Sequence, residues 1–344
     1  LEKNFFIIVP EQFTMQTQKD IVQMHPNHAV GNIDVLSFNR LAYRIFEELD
    51  IENPEVLDEL DKALILRRIA NKVELKAWKK QFQKAGFIDS IKSLISEFMQ
   101  YDISDDFIRE QVNNSEVDSL LKIKLEDIYN LKTGFEEYIA GKYFTNEQIL
   151  DVLNENIANS ELLRDSVILF DGYTGFTPIQ NRIISNLMKV ADELRFSVTL
   201  GKGVNPDIRL SESNLFFISG KMISQINEMA KKENIKRLPD INLNTGAVHR
   251  FKNSKDLEFF EEHFLRYDGK KSKEVSDIEI NYCMNPLDEI DFVANKILGL
   301  VKDNNYRYRD IAIIYGDLED VSDALINRFH QLEIPYYLDE KMDV

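Results

Sequence analysis

Short apolar runs alternate along the chain with longer stretches in which apolar residues recur every three or four positions. The two periods predict where strands and helices fall. Phe5-Phe6-Ile7-Ile8-Val9 is an unbroken apolar run closed by Pro10, the pattern of a short buried strand. Glu11 to Met24 is compatible with a helix, with Phe13, Gln16/Thr17 and Ile21 at helical spacing, until Pro26, Asn27 and Gly31 break it. Ile33 to Phe38 reads as a second strand, and a helix follows from about Asn39 to Leu49. Two short apolar strands separated by helical segments predict a parallel sheet built of βα units.

Between about 55 and 160 the pattern changes. Leu57, Leu60 and Leu64, then Phe87, Ile91, Leu94, Ile95 and Phe98, then Leu121, Leu125, Ile128, Leu131 and Phe135 keep spacings of three and four. Nothing alternates at period two and glycine is sparse, so this region is predicted to be all-helical, with four to six helices. The strand signal returns at Ser166 to Phe170 and at Leu194 to Leu200, with helices from about Pro178 to Met188 and Leu215 to Lys232. Ser276 to Cys283 alternates at period two, Asp310 to Tyr315 is apolar, and Pro335 to Leu338 begins a last strand. Helices are predicted between these, at Leu287 to Lys302 and Leu318 to Leu332. The fold class is therefore α/β with a helical insertion.

Composition narrows the function classes. The 344 residues are 44% apolar and 29% charged, as in ordinary globular chains, and the length predicts about two domains. The formal charge of −17 excludes a uniformly basic nucleic-acid binder but leaves room for a local DNA track. One cysteine, Cys283, excludes an internal disulfide framework and a cysteine-rich metal site, and fits a reducing cytoplasm. No apolar stretch reaches the roughly 18–20 residues of a membrane span. The chain begins at Leu1 and both ends lie near core-like strands, which predicts a piece of a longer protein.

The familiar reactive motifs are missing from these residues. There is no G-x-x-x-x-G-K-S/T loop, and Gly201-Lys202-Gly203 lacks its spacing. The five histidines are scattered, and His25 and His28 beside Pro26 read as a polar loop. Asp288, Glu289 and Asp291 suit a helix start, and Cys283 reads as a buried apolar cysteine in a strand. No catalytic or metal-ligating residue is assigned.

Three segments stand apart. Gln12 and Thr14 follow the first strand; Phe38, Arg40 and Tyr43 follow the second; Tyr173 and Phe176 interleave with glycines after the third. In open α/β sheets, ligand sites gather beyond the carboxyl ends of the strands. All three segments would share that edge. Taken singly, each aromatic reads more often as core. Together, ring faces with Arg, Gln and Thr are what a single-strand nucleic-acid track needs.

The same segments carry a resemblance. Phe6-Ile7-Ile8-Val9-Pro10-Glu11-Gln12-Phe13-Thr14 and Val35-Leu36-Ser37-Phe38-Asn39-Arg40-Leu41-Ala42-Tyr43-Arg44 come first. Leu66-Arg67-Arg68, Gly86-Phe87, Asp171-Gly172-Tyr173-Thr174-Gly175-Phe176-Thr177-Pro178, Tyr306-Arg307-Tyr308-Arg309-Asp310-Ile311-Ala312-Ile313 and Ile334-Pro335-Tyr336-Tyr337-Leu338-Asp339 follow in order. In this set the chain resembles the N-terminal part of the AddB family (RexB in some lineages), the B-type subunits of bacterial AddAB helicase–deoxyribonucleases.

The resemblance implies a RecA-like, superfamily 1 helicase-like P-loop NTPase fold. Residues 1–47 plus 162–250 would be the first RecA-like domain, 48–161 the helical insertion, 251–272 a linker and 273–344 the start of a second RecA-like domain. It implies a role in processing DNA double-strand ends for recombinational repair. This helicase-like part would bind the 3′-ended strand and recognise Chi without motor chemistry, because Asp171 is followed by Gly172 where a second acid would stand. The positions that carry over are Gln12, Thr14, Phe38, Arg40, Tyr43 and Tyr173; Phe176 is added by proximity. Tyr43 stands where Trp is common and Tyr173 where Phe is common. The partners implied are an AddA-type helicase–nuclease subunit and single-stranded or duplex-end DNA, with no membrane. ATP with Mg²⁺ and a 4Fe–4S cluster would belong to the whole protein, with the P-loop upstream of residue 1 and the cluster ligands downstream of 344. Two other readings stay open: a partner-docking scaffold without its own DNA site, and an active ATP-driven motor.

Overall fold

A computed structural model describes residues 3–52, 55–114, 118–201, 203–243, 250–264, 266, 268–272, 275–316 and 321–338. Lys202, His249, the predicted helix start at 318–320 and Asp339 lie outside them. The chain divides into two compact units, Leu1–Asp240 and Ile241–Val344.

The first unit is built on a four-stranded parallel sheet. Its strands are β1 (Phe5–Ile8), β2 (Ile33–Leu36), β3 (Val167–Phe170) and β4 (Glu193–Phe196), in the order β2-β1-β3-β4. Each is four residues long, and the apolar runs that predicted β1 and β3 supply Phe6, Ile8, Ile168 and Phe170 to the core. A 3-10 turn, Glu11–Phe13, leads into α1 (Thr14–Met24). Helix α2 (Phe38–Glu48) follows β2 at once. Ser37 caps it, its Oγ accepting from the Arg40 backbone N–H. The strand therefore stops at Leu36, two residues short of the predicted end, because Ser37 and Phe38 are drawn into the helix start.

The helical segment contains α3 (Glu59–Ala70), α4 (Ala85–Gln100), α5 (Asp105–Asn113), α6 (Ser119–Ile139) and α7 (Asn146–Asn156). A second core gathers Ile65, Leu66, Ile91, Ile95, Leu131 and Phe135 from α3, α4 and α6. Helix α7 does not join it; Ile149, Leu150 and Leu153 pack into the sheet core beside α2. The chain reversal before α4 is anchored by Asp127 on α6, which is wholly buried. Its carboxylate accepts from the backbone N–H groups of Lys76, Ala77 and Trp78 at 2.8, 2.8 and 3.0 Å.

After β3, α8 (Pro178–Val190) begins with proline in its first turn and a Thr177–Gln180 capping box, and buries Ile179, Ile183, Ile184 and Leu187 against the sheet. β4 ends at Phe196, before its alternating pattern does. Ser197 makes the last ladder bond, its N–H donating to the Phe170 carbonyl at 2.9 Å, and its Oγ donates to the Asp171 carboxylate. Helix α9 (Phe217–Lys232) completes the unit.

The second unit holds α10 (Lys255–His263), α11 (Pro286–Asn304) and α12 (Ser322–Gln331). Ile290, Ala294, Ile297, Leu325, Phe329 and Ile334 form its core. The strands predicted at 276–283, 310–315 and 335–338 are not formed among the described residues. A strand draws its backbone hydrogen bonds from neighbours, and no described strand pairs with these segments. Several of their apolar residues lie in the open, with Ile280, Tyr282, Ile314 and Tyr337 each more than four-fifths exposed. Cys283 is exposed too, which corrects its reading as a buried strand cysteine.

Asp127→Ala would strand three backbone donors. We expect a loss of about 2–3 kcal/mol in chemical denaturation, with Asp127→Asn losing less because one carbonyl oxygen remains to accept.

Candidate nucleic-acid interface

Parallel register brings the carboxyl ends of all four strands to one edge. Ile8 lies opposite Leu36 on one side and Phe170 on the other, and Phe170 lies opposite Phe196. The chain leaves β1 toward β2 but reaches β3 on the other flank, so the sheet order reverses between β1 and β3. Ligand crevices in open α/β sheets form beyond such a reversal. The turn after β1 and the turn after β3 meet there. Gly172 takes a positive φ of 78°, and a side chain at that position would meet Pro10 and Phe13.

Rings fill the edge from below. Phe170 and Phe196 stack at 4.9 Å with planes 8° apart. Phe38 sits 5.8 Å from Phe170 and 5.8 Å from Tyr173, and edge-on to Phe176 at 6.3 Å. Tyr173 and Phe176 are 5.0 Å apart and half-buried. Phe38 is only 4% exposed, so it supports the cluster and offers no free face. Tyr173 and Phe176, with the exposed Phe13 in the turn after β1, carry the ring surface that the edge presents to solvent. Burial pushes the Tyr173 hydroxyl well above its ordinary range, and the nearby Glu11 charge adds to the effect, so the side chain is a neutral phenol at working pH.

Polar groups ring the aromatics. Gln12 and Arg40 are exposed; Thr14 is buried and turns its hydroxyl back to donate to the Glu11 carbonyl at 2.9 Å. Tyr43, one turn along α2, is half-buried and packs edge-on against Phe46 at 6.0 Å. Arg40 donates through Nε to a Glu11 carboxylate oxygen at 2.8 Å, and Ser37 Oγ donates to the other oxygen. Of the positions expected from sequence, Gln12, Arg40, Tyr173 and Phe176 present surface here, Tyr43 presents some, and Thr14 and Phe38 lie beneath it. Sequence reasoning misses Glu11, Ser37, Phe170 and Phe196. The one available signal is charge: an arginine on a crowded edge calls for a carboxylate, and Glu11 is the acid in the neighbouring turn.

Chemically the edge can stack planar groups and hydrogen-bond their edges. Among the described residues no three His, Cys, Asp or Glu side chains gather as a metal site, and no helix is long and apolar enough to cross a membrane.

Comparison with known proteins gives a consistent picture. Residues 1–261 match the family described as ADDB, N-terminal. Similar curated proteins include those of Lachnoclostridium phytofermentans at 36% identity, Alkaliphilus metalliredigens at 33% and Clostridium tetani at 32%, each named as the B-type subunit of an ATP-dependent helicase/deoxyribonuclease. The alignments cover 99–100% of this chain and 30% of each relative, so the chain spans about a third of the length of the proteins it matches.

Phe38→Ala would open a cavity under Tyr173 and Phe176. The expected loss is about 3–4 kcal/mol in chemical denaturation, against about 1 kcal/mol for Phe38→Leu, which refills most of the volume.

Proposed function

The chain belongs to the AddB N-terminal family, and from that premise we propose that it is the helicase-like part of a subunit that processes DNA double-strand ends for recombinational repair. In this reading the carboxyl edge of the sheet holds the 3′-ended single strand and recognises Chi. The observation that carries the reading is the meeting at that edge of exposed Gln12 and Arg40 with the half-exposed rings of Tyr173 and Phe176. Ring faces take stacked bases, at about 1–3 kcal/mol per base, while arginine and glutamine read purine edges or grip phosphates. Phe38 and Thr14 serve from beneath: Phe38 fixes the height of the rings and Thr14 fixes the turn that carries Gln12. Tyr43 borders the track.

The sheet is proposed as the first RecA-like domain, residues 1–47 plus 162–250. Residues 48–161 form the insertion, 251–272 a linker, and 273–344 the start of a second such domain. The parallel order with helices between strands supports this assignment. Motor inactivity of this part is supported at Asp171. A Mg²⁺-dependent phosphoryl-transfer site places acids at this strand end; here Asp171 is followed by Gly172, so no second acid stands beside it. ATP with Mg²⁺ and a 4Fe–4S cluster are proposed for the whole protein. One cysteine does not fit a four-thiolate site, so no such site is assembled from this chain alone. The proposed partner is an AddA-type helicase–nuclease subunit, in the cytoplasm.

The test uses the full-length heterodimer and a duplex with a 3′ single-stranded tail. Arg40→Ala and Tyr173→Ala are each expected to weaken tail binding by about five- to tenfold and to blunt the response to Chi. Unchanged binding and response in both variants would favour a docking scaffold instead.

A further inference from the structure

Glu11 has a more specific place at this edge than a surface carboxylate needs. It is held from both ends. Its backbone carbonyl accepts from Thr14 Oγ1 at 2.9 Å, which fixes the turn. Its carboxylate accepts from Ser37 Oγ on one oxygen and from Arg40 Nε at 2.8 Å on the other. Ser37 Oγ in turn accepts from the Arg40 backbone N–H at 3.3 Å. Arg40 is thus tied to one turn at its backbone and at its guanidinium, through residues 26 and 29 positions apart in sequence from Glu11.

The bond made matters as much as its existence. Guanidinium offers a side edge that includes Nε and an end fork of Nη1 and Nη2. Glu11 takes Nε, and the two Nη groups donate to no described residue. The end fork is the geometry that meets guanine O6 and N7 bidentately. We infer that Glu11 is a positioning residue that orients the Arg40 fork toward a guanine edge of the bound strand. The inference rests on the reading of this edge as a single-strand track. It makes the edge selective for guanine through orientation, with no contact between Glu11 and DNA.

Two other roles for Glu11 differ from this one in sign. A carboxylate beside a phosphate track ordinarily repels DNA, so its removal should tighten binding. A carboxylate that merely locks Arg40 away should, when removed, tighten binding to guanine-containing strands most of all. A positioning residue predicts the reverse: removal costs guanine recognition.

The experiment measures affinity of the full-length heterodimer for 3′-ended mixed-sequence oligonucleotides containing guanine, and for the same strands with 7-deazaguanine, which lacks the N7 acceptor. Wild type is expected to prefer guanine about tenfold. Glu11→Ala should lower that preference to within about twofold while binding of the 7-deaza strand holds or rises. Glu11→Gln, whose amide oxygen still accepts from Nε, should retain most of the preference. In an Arg40→Ala background Glu11→Ala should leave the preference between the two strands unchanged. Full guanine preference in Glu11→Ala, or tighter guanine binding, overturns the inference. Arg40→Ala binding both strands as wild type does would overturn the underlying reading of the edge, a separate outcome.

Discussion

Ile8 faces Leu36 across one ladder and Phe170 across the other, and Phe170 faces Phe196 in turn. That in-register parallel pairing is the constraint on which the rest of the site depends. Four strands at about 4.8 Å spacing put four chain exits within about 15 Å. A slip of one residue in any pair would turn a strand's core side chains outward and carry its following loop to the wrong height. The strands are only four residues each, so the ladder alone is weak. The ring cluster of Phe38, Phe170, Phe176 and Phe196 holds the register from the loop side, and the same cluster sets where Tyr173 stands. Stability and ring presentation are thus one structural fact.

The electrostatics of the edge are local. A chain of net charge −17 does not draw DNA by its overall field. Arg40 has its own carboxylate partner in Glu11. Both side chains are more than half exposed, so the pair adds little to stability. Its effect is geometric: it decides which edge of the guanidinium faces outward. An edge organised this way gains discrimination more than raw attraction. That suits a surface proposed to read a passing strand, for which uniform tight binding would be a hindrance.

Much of the first unit is legible from pattern alone. The apolar runs at Phe5–Ile8 and Val167–Phe170 are strands with one buried face, Phe6 and Ile8 with Ile168 and Phe170, and the residues between are apolar too, so no polar alternation is there to mislead. Pro178 marks its helix start. The departures have local causes. Phe38 reads as a strand end but is the first residue of a helix, since Ser37 caps it. The Leu194–Leu200 alternation outlasts β4 because its partner β3 ends at Phe170, just before the turn at Gly172. In the second unit alternation at 276–283 marks a segment with strand character, but period two says nothing about whether a partner strand pairs with it. The site is half legible. Residue types point to Gln12, Arg40 and Tyr173. The burial of Phe38 and the role of Glu11 depend instead on contacts between distant segments, Glu11 and Ser37 being 26 positions apart, and no local pattern carries these.

Photocrosslinking tests the central claim most directly. A 3′-ended single strand carrying 5-bromouracil is bound to the full-length heterodimer, irradiated, and its adducts mapped by peptide mass. A strand held at this edge gives adducts in this chain at Tyr173 or Phe176 and in the segments 11–14 and 37–43. Adducts confined to other regions, with none at this edge under saturating strand, would contradict the claim.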